Sequence, residues 1–479
     1  MSLFQVDRTQ FPIGQGGFHA TVIHMPRGKN LSMVIDCGGA DKSHRNRLIK
    51  VFSEGKRQHD ILAISHFDAD HINGVDDLRE AGIKFNTVFL PHVEVQSYLL
   101  WMTLKLSISE EAPEKLAHIV QTSGRLYGGD YGSVVLVGPP SLLTIDEHQD
   151  DLLEDSNLAN VLSDDAYKAV QKARGLSGQV FSCSQSLNIR EIDWLFRFYS
   201  REWTFPKEAK SIWDLEFLDS LKAVVNITKQ QMNTSTWTSF STQLITELKA
   251  KIAPSDAEKV MSLISVTPAK NDPRYERLVK LKNEIKKAKN GGLSCKYVLG
   301  QLYELSETLK DYNDASMCVY SGPAQRGTSV PREQFSRSVH LGRRALRTEP
   351  QDGVYSREVG WISTGDSDFS TQEKLRDFLW HYCTEIALTS IFVLPHHGSR
   401  MSYDPNLDLL RELSANLCER PLFIAPANPE NKTYHHPHWP VESTCRKAGD
   451  FYIVDQSLAS FYAESVKTVC SLPRIFIFD

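Results

Sequence analysis

The apolar run Ile61-Leu62-Ala63-Ile64 leads directly into Ser65-His66-Phe67-Asp68-Ala69-Asp70-His71. The run reads as a short buried strand, and residues 75–81 (VDDLREA) read as a helix. Four potential metal ligands, His66, Asp68, Asp70 and His71, therefore fall in one strand-to-helix loop. Such a loop can turn several side chains toward one point. Imidazole and carboxylate donors together suit zinc, manganese or iron. The competing reading is a polar loop whose histidines only pair with carboxylates.

Further stretches follow in an order that sharpens this reading. They are Val34-Ile35-Asp36-Cys37-Gly38-Gly39, then Ser363-Thr364-Gly365-Asp366, then Val393-Leu394-Pro395-His396-His397-Gly398-Ser399. Last comes His435-His436-Pro437-His438, after the apolar run Leu422-Phe423-Ile424-Ala425. Together with the first cluster they resemble the metallo-β-lactamase superfamily, whose signature is His-x-His-x-Asp-His. The segments around His396 and His436 are similar to a narrower group, the soluble hydrolase domain of the ComEC competence protein and its free-standing relatives.

The resemblance implies a fold, an α/β four-layer αββα sandwich with metals at the edge where strand-end loops converge. It also implies roles. Asp70 and His71 would hold one ion, His66 and Asp68 the other, and Asp366 would bridge. His396 or His397 would complete a site or face the substrate. Asp36 would orient a ligand, Ser399 would contact an anionic oxygen, and His436 or His438 would protonate a leaving alkoxide. Asp70, His397 and His436 are the residues expected to take part in catalysis. One or two divalent ions, zinc or manganese with magnesium as an alternative, would supply a metal-bound hydroxide for hydrolysis.

The chain departs from the family at Asp68, where the signature has histidine. Carboxylate in place of imidazole adds charge and hardness, tilting the site from zinc toward manganese or magnesium. A separate histidine that many members use is not evident; His92 and His340 are the candidates.

At 479 residues the chain fits two or three domains. No apolar run approaches the ~20 residues that span a bilayer. No basic region followed by an apolar core opens the sequence. Its eight cysteines form no Cys-x-x-Cys pair and fit reduced thiols, so a cytoplasmic protein is expected. A net charge of −5 advertises no global field for nucleic acid, though a local basic groove is compatible with it.

Residues 1–140 read as the first half of the hydrolase domain. Residues 18–24 and 30–36 form an expected hairpin, with strands also at 87–90 and 133–140. Gly14-Gln15-Gly16-Gly17 precedes a strand, which counts against a phosphate loop. Residues 141–312 read as a mostly helical insertion, with helical spacing at 157–176, 209–225, 238–252 and 294–312, and ambiguity at 186–203. Its strand neighbours near Pro140 and Ser316 are expected to lie close together, since both belong to the core. Within it the basic run 274–289 offers Lys282, Lys286 and Lys289 to nucleic acid; the alternative is a solvated helix face. The insertion is also the expected surface for a protein partner or a second copy.

Residues 313–479 read as the second half. A loop or long hairpin is expected at 321–350, and a capping box at 370–373 opens a helix. Strands are expected at 391–394, 422–425, 451–454 and 475–478.

These readings imply a metal-dependent phosphodiesterase or nuclease, with nucleic acid or a nucleotide as substrate and bacterial defence as one setting. The alternatives are a hydrolase of small esters, thioesters or nucleotides, and a metal-poor scaffold that binds a partner.

Overall fold

The computed structural model describes residues 4–25, 30–92, 122–123, 125–126, 129–138, 180–182, 185–189, 194–201, 315–324, 334–342, 344–346, 358–431 and 435–469. Among the described residues seventeen strands run in chain order. They are β1 (Gln5–Gln10), β2 (His19–His24), β3 (Asn30–Ile35), β4 (Gln58–Ala63), β5 (Lys84–Pro91), β6 (Ser133–Gly138), β7 (Val180–Ser182), β8 (Ser186–Ile189) and β9 (Trp194–Tyr199). There follow β10 (Cys318–Pro323), β11 (Gln334–Leu341), β12 (Arg344–Leu346), β13 (Gly360–Ser363), β14 (Thr389–Val393), β15 (Leu422–Pro426), β16 (Asp450–Val454) and β17 (Tyr462–Val469). Six helices are described: α1 (Lys42–Ser53), α2 (Ala69–Ile72), α3 (Val75–Glu80), α4 (Gln372–His381), α5 (Asp408–Asn416) and α6 (Trp439–Ala448). Among the described residues no helix is long and apolar enough to cross a membrane.

The architecture is α/β with two mixed sheets. One has ten strands in the order β12-β11-β17-β1-β2-β3-β4-β5-β6-β7, the other seven in the order β16-β15-β14-β13-β10-β9-β8. Each sheet joins an antiparallel part to a parallel run, β3 through β7 in the first and β13 through β16 in the second. The parallel strands β13 and β14 are buried at every position, as Trp361-Ile362 and Ile391-Phe392-Val393 require.

The two sheets share one apolar core. Val6, Ile23, Met33, Ile61 and Phe89 of the first sheet join Leu187, Trp194, Phe198 and Val319 of the second. Phe89 stacks on Phe198 with centroids 4.7 Å apart. Another cluster sets Leu375 and Phe378 of α4, Leu410 and Leu413 of α5 and Val441 of α6 against Ile362, Phe392 and Phe423. Helix α4 starts at Thr371, whose hydroxyl accepts from the Lys374 amide at 3.3 Å, one residue later than the capping box implied.

The chain divides into two compact units. The first comprises Met1–His92, Tyr131–Arg201 and Ala315–Asp479, the second Val93–Asp130 and Glu202–Asp314. These units are drawn differently from the expected segments 1–140, 141–312 and 313–479. Val180–Ser182, Ser186–Ile189 and Trp194–Tyr199 are strands of the two sheets, while 93–130 fall outside the first unit. The ambiguous stretch at 186–203 resolves to β8 and β9, because Leu187, Ile189, Trp194 and Phe196 face the shared core.

The strands near Pro140 and Ser316, expected to lie close together, share one core cluster through Val135, Val137, Met317 and Val319, but they belong to different sheets. Strand β10 lies between β9 and β13, whereas β6 belongs to the other sheet. The hairpin β2–β3 and the hairpin β11–β12 are present. The four expected insertion helices, the strand at 475–478, and Lys282, Lys286 and Lys289 lie outside the described residues.

Candidate metal centre

The carboxyl ends of β3, β4, β13, β14 and β15 deliver the candidate residues. In parallel sheets this is the edge where ligands bind. Asp36 follows β3, His66 follows β4, Asp366 follows β13, His396 and His397 follow β14, and His436 lies beyond β15. The loop after β4 is shorter than expected, since Asp70 and His71 already sit on the single turn α2. The two sheets are stitched here: the Met317 amide donates to the Ser65 carbonyl at 2.7 Å. Gly365 has φ +54, and a Cβ there would meet Ser316 Oγ at 2.4 Å and Ser65 Cβ at 2.6 Å. Only glycine fits.

Backbone strain gathers on this edge. Asp36, His396, His397 and His435 have φ of 55°, 48°, 58° and 52°. Left-handed geometry at a non-glycine residue costs on the order of 1–2 kcal/mol, so the surrounding structure has to hold it.

Each of three histidines is tied by Nδ1, so that Nε2 is turned to the centre. His71 Nδ1 donates to Asp36 Oδ2 at 2.8 Å. His66 Nδ1 lies 3.0 Å from Ser65 Oγ, whose own proton goes to Asp36 Oδ2 at 2.6 Å. His397 Nδ1 donates to the Pro426 carbonyl at 2.9 Å. Outward hydrogen bonds of this kind fix the tautomer and leave a lone pair on Nε2 for a metal.

The inward atoms converge on Asp366. Its Oδ2 is 3.5 Å from His66 Nε2, and its Oδ1 is 3.3 Å from His71 Nε2 and 3.8 Å from His397 Nε2. His397 Nε2 also stands 3.1 Å from Asp70 Oδ2. Two sets of ligand atoms result, each within 4.8 Å: His66, His71 and Asp366, and Asp70, His71 and His397. These buried groups could hold a metal ion. His71 has one inward lone pair and can serve one ion. If it joins Asp70 and His397, His66 and Asp366 remain for another ion, with Asp68 Oδ2 3.9 Å from His66 Nε2.

The fit is tested by what the protein leaves unsatisfied. His66 Nε2, His71 Nε2 and Asp366 Oδ1 are buried and have no hydrogen-bond partner. Such orphans are costly, about 1–3 kcal/mol each, and all three point at one place. A cation satisfies them together. The mouth is on the other side, where Asp68 and Asp70 keep 28% and 27% of their side-chain surface exposed.

The electrostatics agree. Burial alone would raise the Asp366 carboxyl, but the His396, His66, His71 and His397 imidazoles hold it well below the carboxylate range. Asp70 is likewise held low against burial by its bond to His397 and by His71. Burial opposes charge on His71 too, yet Asp366 and Asp36 raise it well above the usual imidazole value. A proton therefore sits where a cation would replace it.

Around this centre is a rim of imidazoles. The His396 and His436 centroids are 5.5 Å apart, those of His397 and His436 6.2 Å, and those of His436 and His438 4.9 Å. Burial, then the His397 charge, pushes His436 down to about 3. Burial, then His396, lowers His438. A neutral His436 can donate one hydrogen bond from its ring. His438 Nδ1 accepts from the Arg400 amide at 2.9 Å, joining the two loops. Ser399 Oγ accepts from the Met401 amide at 3.2 Å and caps the next turn, a bond that does not use the hydroxyl proton its expected contact with an anion would require.

Of the two candidates for an extra ligand, His340 is exposed on β11, at the far side of the first sheet, and His92 ends β5; neither belongs to either ligand set. Sequence reasoning missed Ser65, Ser316 and the Pro426 carbonyl. Only Ser65 carried a signal, its place beside His66. No protein-family model matches the chain, and a search of curated proteins finds no relative.

Proposed function

We propose that the chain is a metal-dependent hydrolase of the metallo-β-lactamase type, its two sheets and flanking helices forming the four-layer αββα sandwich, and that it cleaves phosphodiesters, with nucleic acid as the favoured substrate. The observation that carries the reading is the convergence of buried, unpartnered His66 Nε2, His71 Nε2 and Asp366 Oδ1 at the carboxyl ends of parallel strands. A structural polar cluster would satisfy those atoms internally. The resemblance of residues 393–399 and 435–438 to the ComEC-like group favours phosphodiesters over small esters.

The residues that would hold metal are His66, Asp68, Asp70, His71, Asp366 and His397. Divalent ions bound there would polarise the ester and lower the pKa of water so that it attacks at neutral pH. The chain does the rest. Asp36 and Ser65 hold His66 and His71 in one tautomer. Asp68 and Asp70 line the open mouth. His396, His436 and His438 form a wall of hydrogen-bonding groups against the departing oxygen.

The test is elemental analysis of protein purified without chelator, paired with assays on single- and double-stranded DNA, RNA and a model phosphodiester. One or two divalent ions per chain and metal-dependent cleavage are expected. Full activity without metal defeats the proposal. Cleavage confined to carboxylic esters or thioesters defeats its phosphodiester part.

A further inference from the structure

We propose that Trp439, with Met401 on the adjoining loop, is the stacking platform for a nucleobase of a single-stranded substrate, beside the phosphodiester that the centre would cleave. The choice of substrate rests on the phosphodiesterase reading; the binding of a base is measured apart from it.

Five large apolar side chains stand exposed among the described residues: Val51, Trp380, Met401, Trp439 and Leu458. Two of them are on neighbouring loops. Met401, 78% exposed, follows Arg400, and Trp439, 69% exposed, follows His438. The Arg400 amide donates to His438 Nδ1 at 2.9 Å, and the His438 amide donates to the Gly398 carbonyl at 3.1 Å. Both exposed residues thus lie next in sequence to the partners of one hydrogen bond. The fold does not ask for either of them. Trp439 opens α6, whose packing is carried by Val441, Thr444 and Cys445, and the turn at Met401 buries Ser402 instead. The same loops border the centre. The His438 ring centroid lies 4.9 Å from that of His436, which lies 6.2 Å from that of His397.

An open indole face suits a flat partner, and a thioether packs well against an aromatic ring. The charge beside them narrows the choice. Arg400 is exposed, its guanidinium donates to the Pro405 carbonyl at 2.8 Å, and among the described residues no carboxylate pairs with it. His435 is exposed on the other loop. A lipid tail or an apolar protein face has no use for the Arg400 cation. A base joined to a phosphate uses both features, the ring on the indole and the anion near the guanidinium. Such a platform takes the face of a base, which a duplex hides by stacking and a single strand offers.

The experiment uses the full chain and two fluorescent probes of about six nucleotides, single-stranded oligothymidylate and the same backbone without bases. Affinity is read by fluorescence anisotropy with calcium, cleavage with manganese. Wild type should bind the thymidylate about tenfold more tightly than the base-free strand. Trp439→Leu keeps an apolar side chain and loses the flat ring, so that ratio should fall to about one, while Trp439→Phe should keep most of it. Met401→Ala should lower the ratio about threefold. Trp380→Leu, which removes an exposed indole from α4, should leave the ratio where it was. Arg400→Ala should weaken both probes alike and flatten their salt dependence. Each ratio is internal to one protein, so a variant that folds poorly cannot imitate the loss. Equal affinity of wild type for the two probes overturns the proposal. So does a ratio that survives Trp439→Leu, or a change in sedimentation with the ratio intact, which would make the patch a contact between two copies. If wild type binds the thymidylate through Trp439 but cleaves no phosphodiester, the hydrolase reading fails and the platform stands. If it binds and cleaves both probes alike, the hydrolase reading stands and the platform fails.

Discussion

The first unit buries two charged clusters, and they differ in whether they close. One joins Arg8 to Glu464, Arg337 and Tyr462. Arg8 Nη1 and Nη2 donate to the carbonyls of Ser321 and Val359, at 3.0 and 2.5 Å. Its guanidinium lies 5.4 Å and 5.6 Å from the Trp194 and Trp361 ring centroids, and its Nε is 2.7 Å from Glu464 Oε1. Glu464 Oε2 accepts from Arg337 at 2.6 Å and from Tyr462 at 3.1 Å. Cation meets anion inside the cluster, and the two orphaned atoms there, Arg8 Nε and Glu464 Oε1, face each other. The other cluster, His66, His71, His397, Asp70 and Asp366, also sets two orphans face to face, His71 Nε2 and Asp366 Oδ1 at 3.3 Å, but it gathers three imidazoles on two carboxylates and leaves His66 Nε2 3.5 Å from Asp366 Oδ2 without a hydrogen bond. Burial of charge alone therefore does not mark a functional site. An unclosed set of donors does.

The largest effect should come from opening the closed cluster. Glu464→Ala leaves the fully buried Arg8 without its counter-charge, and breaking a buried pair in this way costs about 3–5 kcal/mol. Urea melts of the metal-loaded protein should show the loss. A cost under about 1 kcal/mol would mean that the two Trp rings and the carbonyls suffice for Arg8. Next comes the centre itself. At a metal concentration 100 times its Kd, binding should stabilise wild type by about 2.7 kcal/mol. Chelator should therefore lower the wild-type melting temperature and move that of Asp366→Ala less, since Asp366 belongs to one ligand set and lies 3.8 Å from His397 Nε2 of the other. An equal chelator response in the two proteins would place the ion elsewhere.

The same contrast explains what the sequence could and could not disclose. Apolar strands such as Ile391-Phe392-Val393 announce themselves, and so do the ligand loops, because His and Asp at strand ends are unusual. Strands β1 and β17 were invisible. Their inward positions are Val6, Arg8 and Gln10, and Tyr462, Glu464 and Val466, so the closed cluster breaks the apolar alternation that signals a strand. The ligand histidines were legible while their partners were not. Ser65 and Ser316 meet at His66 only where the two sheets come together, and the Pro426 carbonyl reaches His397 only through the pairing of β14 with β15.

A third effect separates the clusters by pH. His71 is raised above its ordinary value by Asp366 and Asp36, so in the metal-free protein it holds a proton at neutral pH. The stability that this proton brings is full below the unfolded imidazole value, near 6.5, and is lost as pH rises through the folded one. A bound cation must expel it. Calorimetry of metal binding at pH 7, in buffers of different ionisation enthalpy, should report about one proton released per chain. Affinity should rise about tenfold per pH unit until His71 deprotonates. Asp366 and Asp70 act in the other direction: their contribution is present above the usual carboxylate range and fades as pH falls through their depressed values. No proton release at pH 7 would mean that metal binds without His71.

The smallest effect tests the member of the open cluster that departs from the family signature. Asp68 precedes α2 as its N-cap residue, but its side chain does not cap the helix. It points toward the centre from the mouth, 3.9 Å from His66 Nε2, and keeps 28% of its surface exposed. A carboxylate there favours harder ions, and an imidazole favours zinc. Asp68→His should therefore shift the ratio of zinc to manganese affinity by about tenfold, or about 1.4 kcal/mol. The melting temperature of the metal-free protein should hardly move, because the position is partly open to solvent. Competition binding with the two ions reads the ratio directly. The same substitution at a position outside the centre, such as exposed Asp450, leaves the ratio where it was and serves as the control. If Asp68→His also leaves it unchanged, Asp68 is no ligand, and the centre consists of the buried histidines with Asp70 and Asp366 alone.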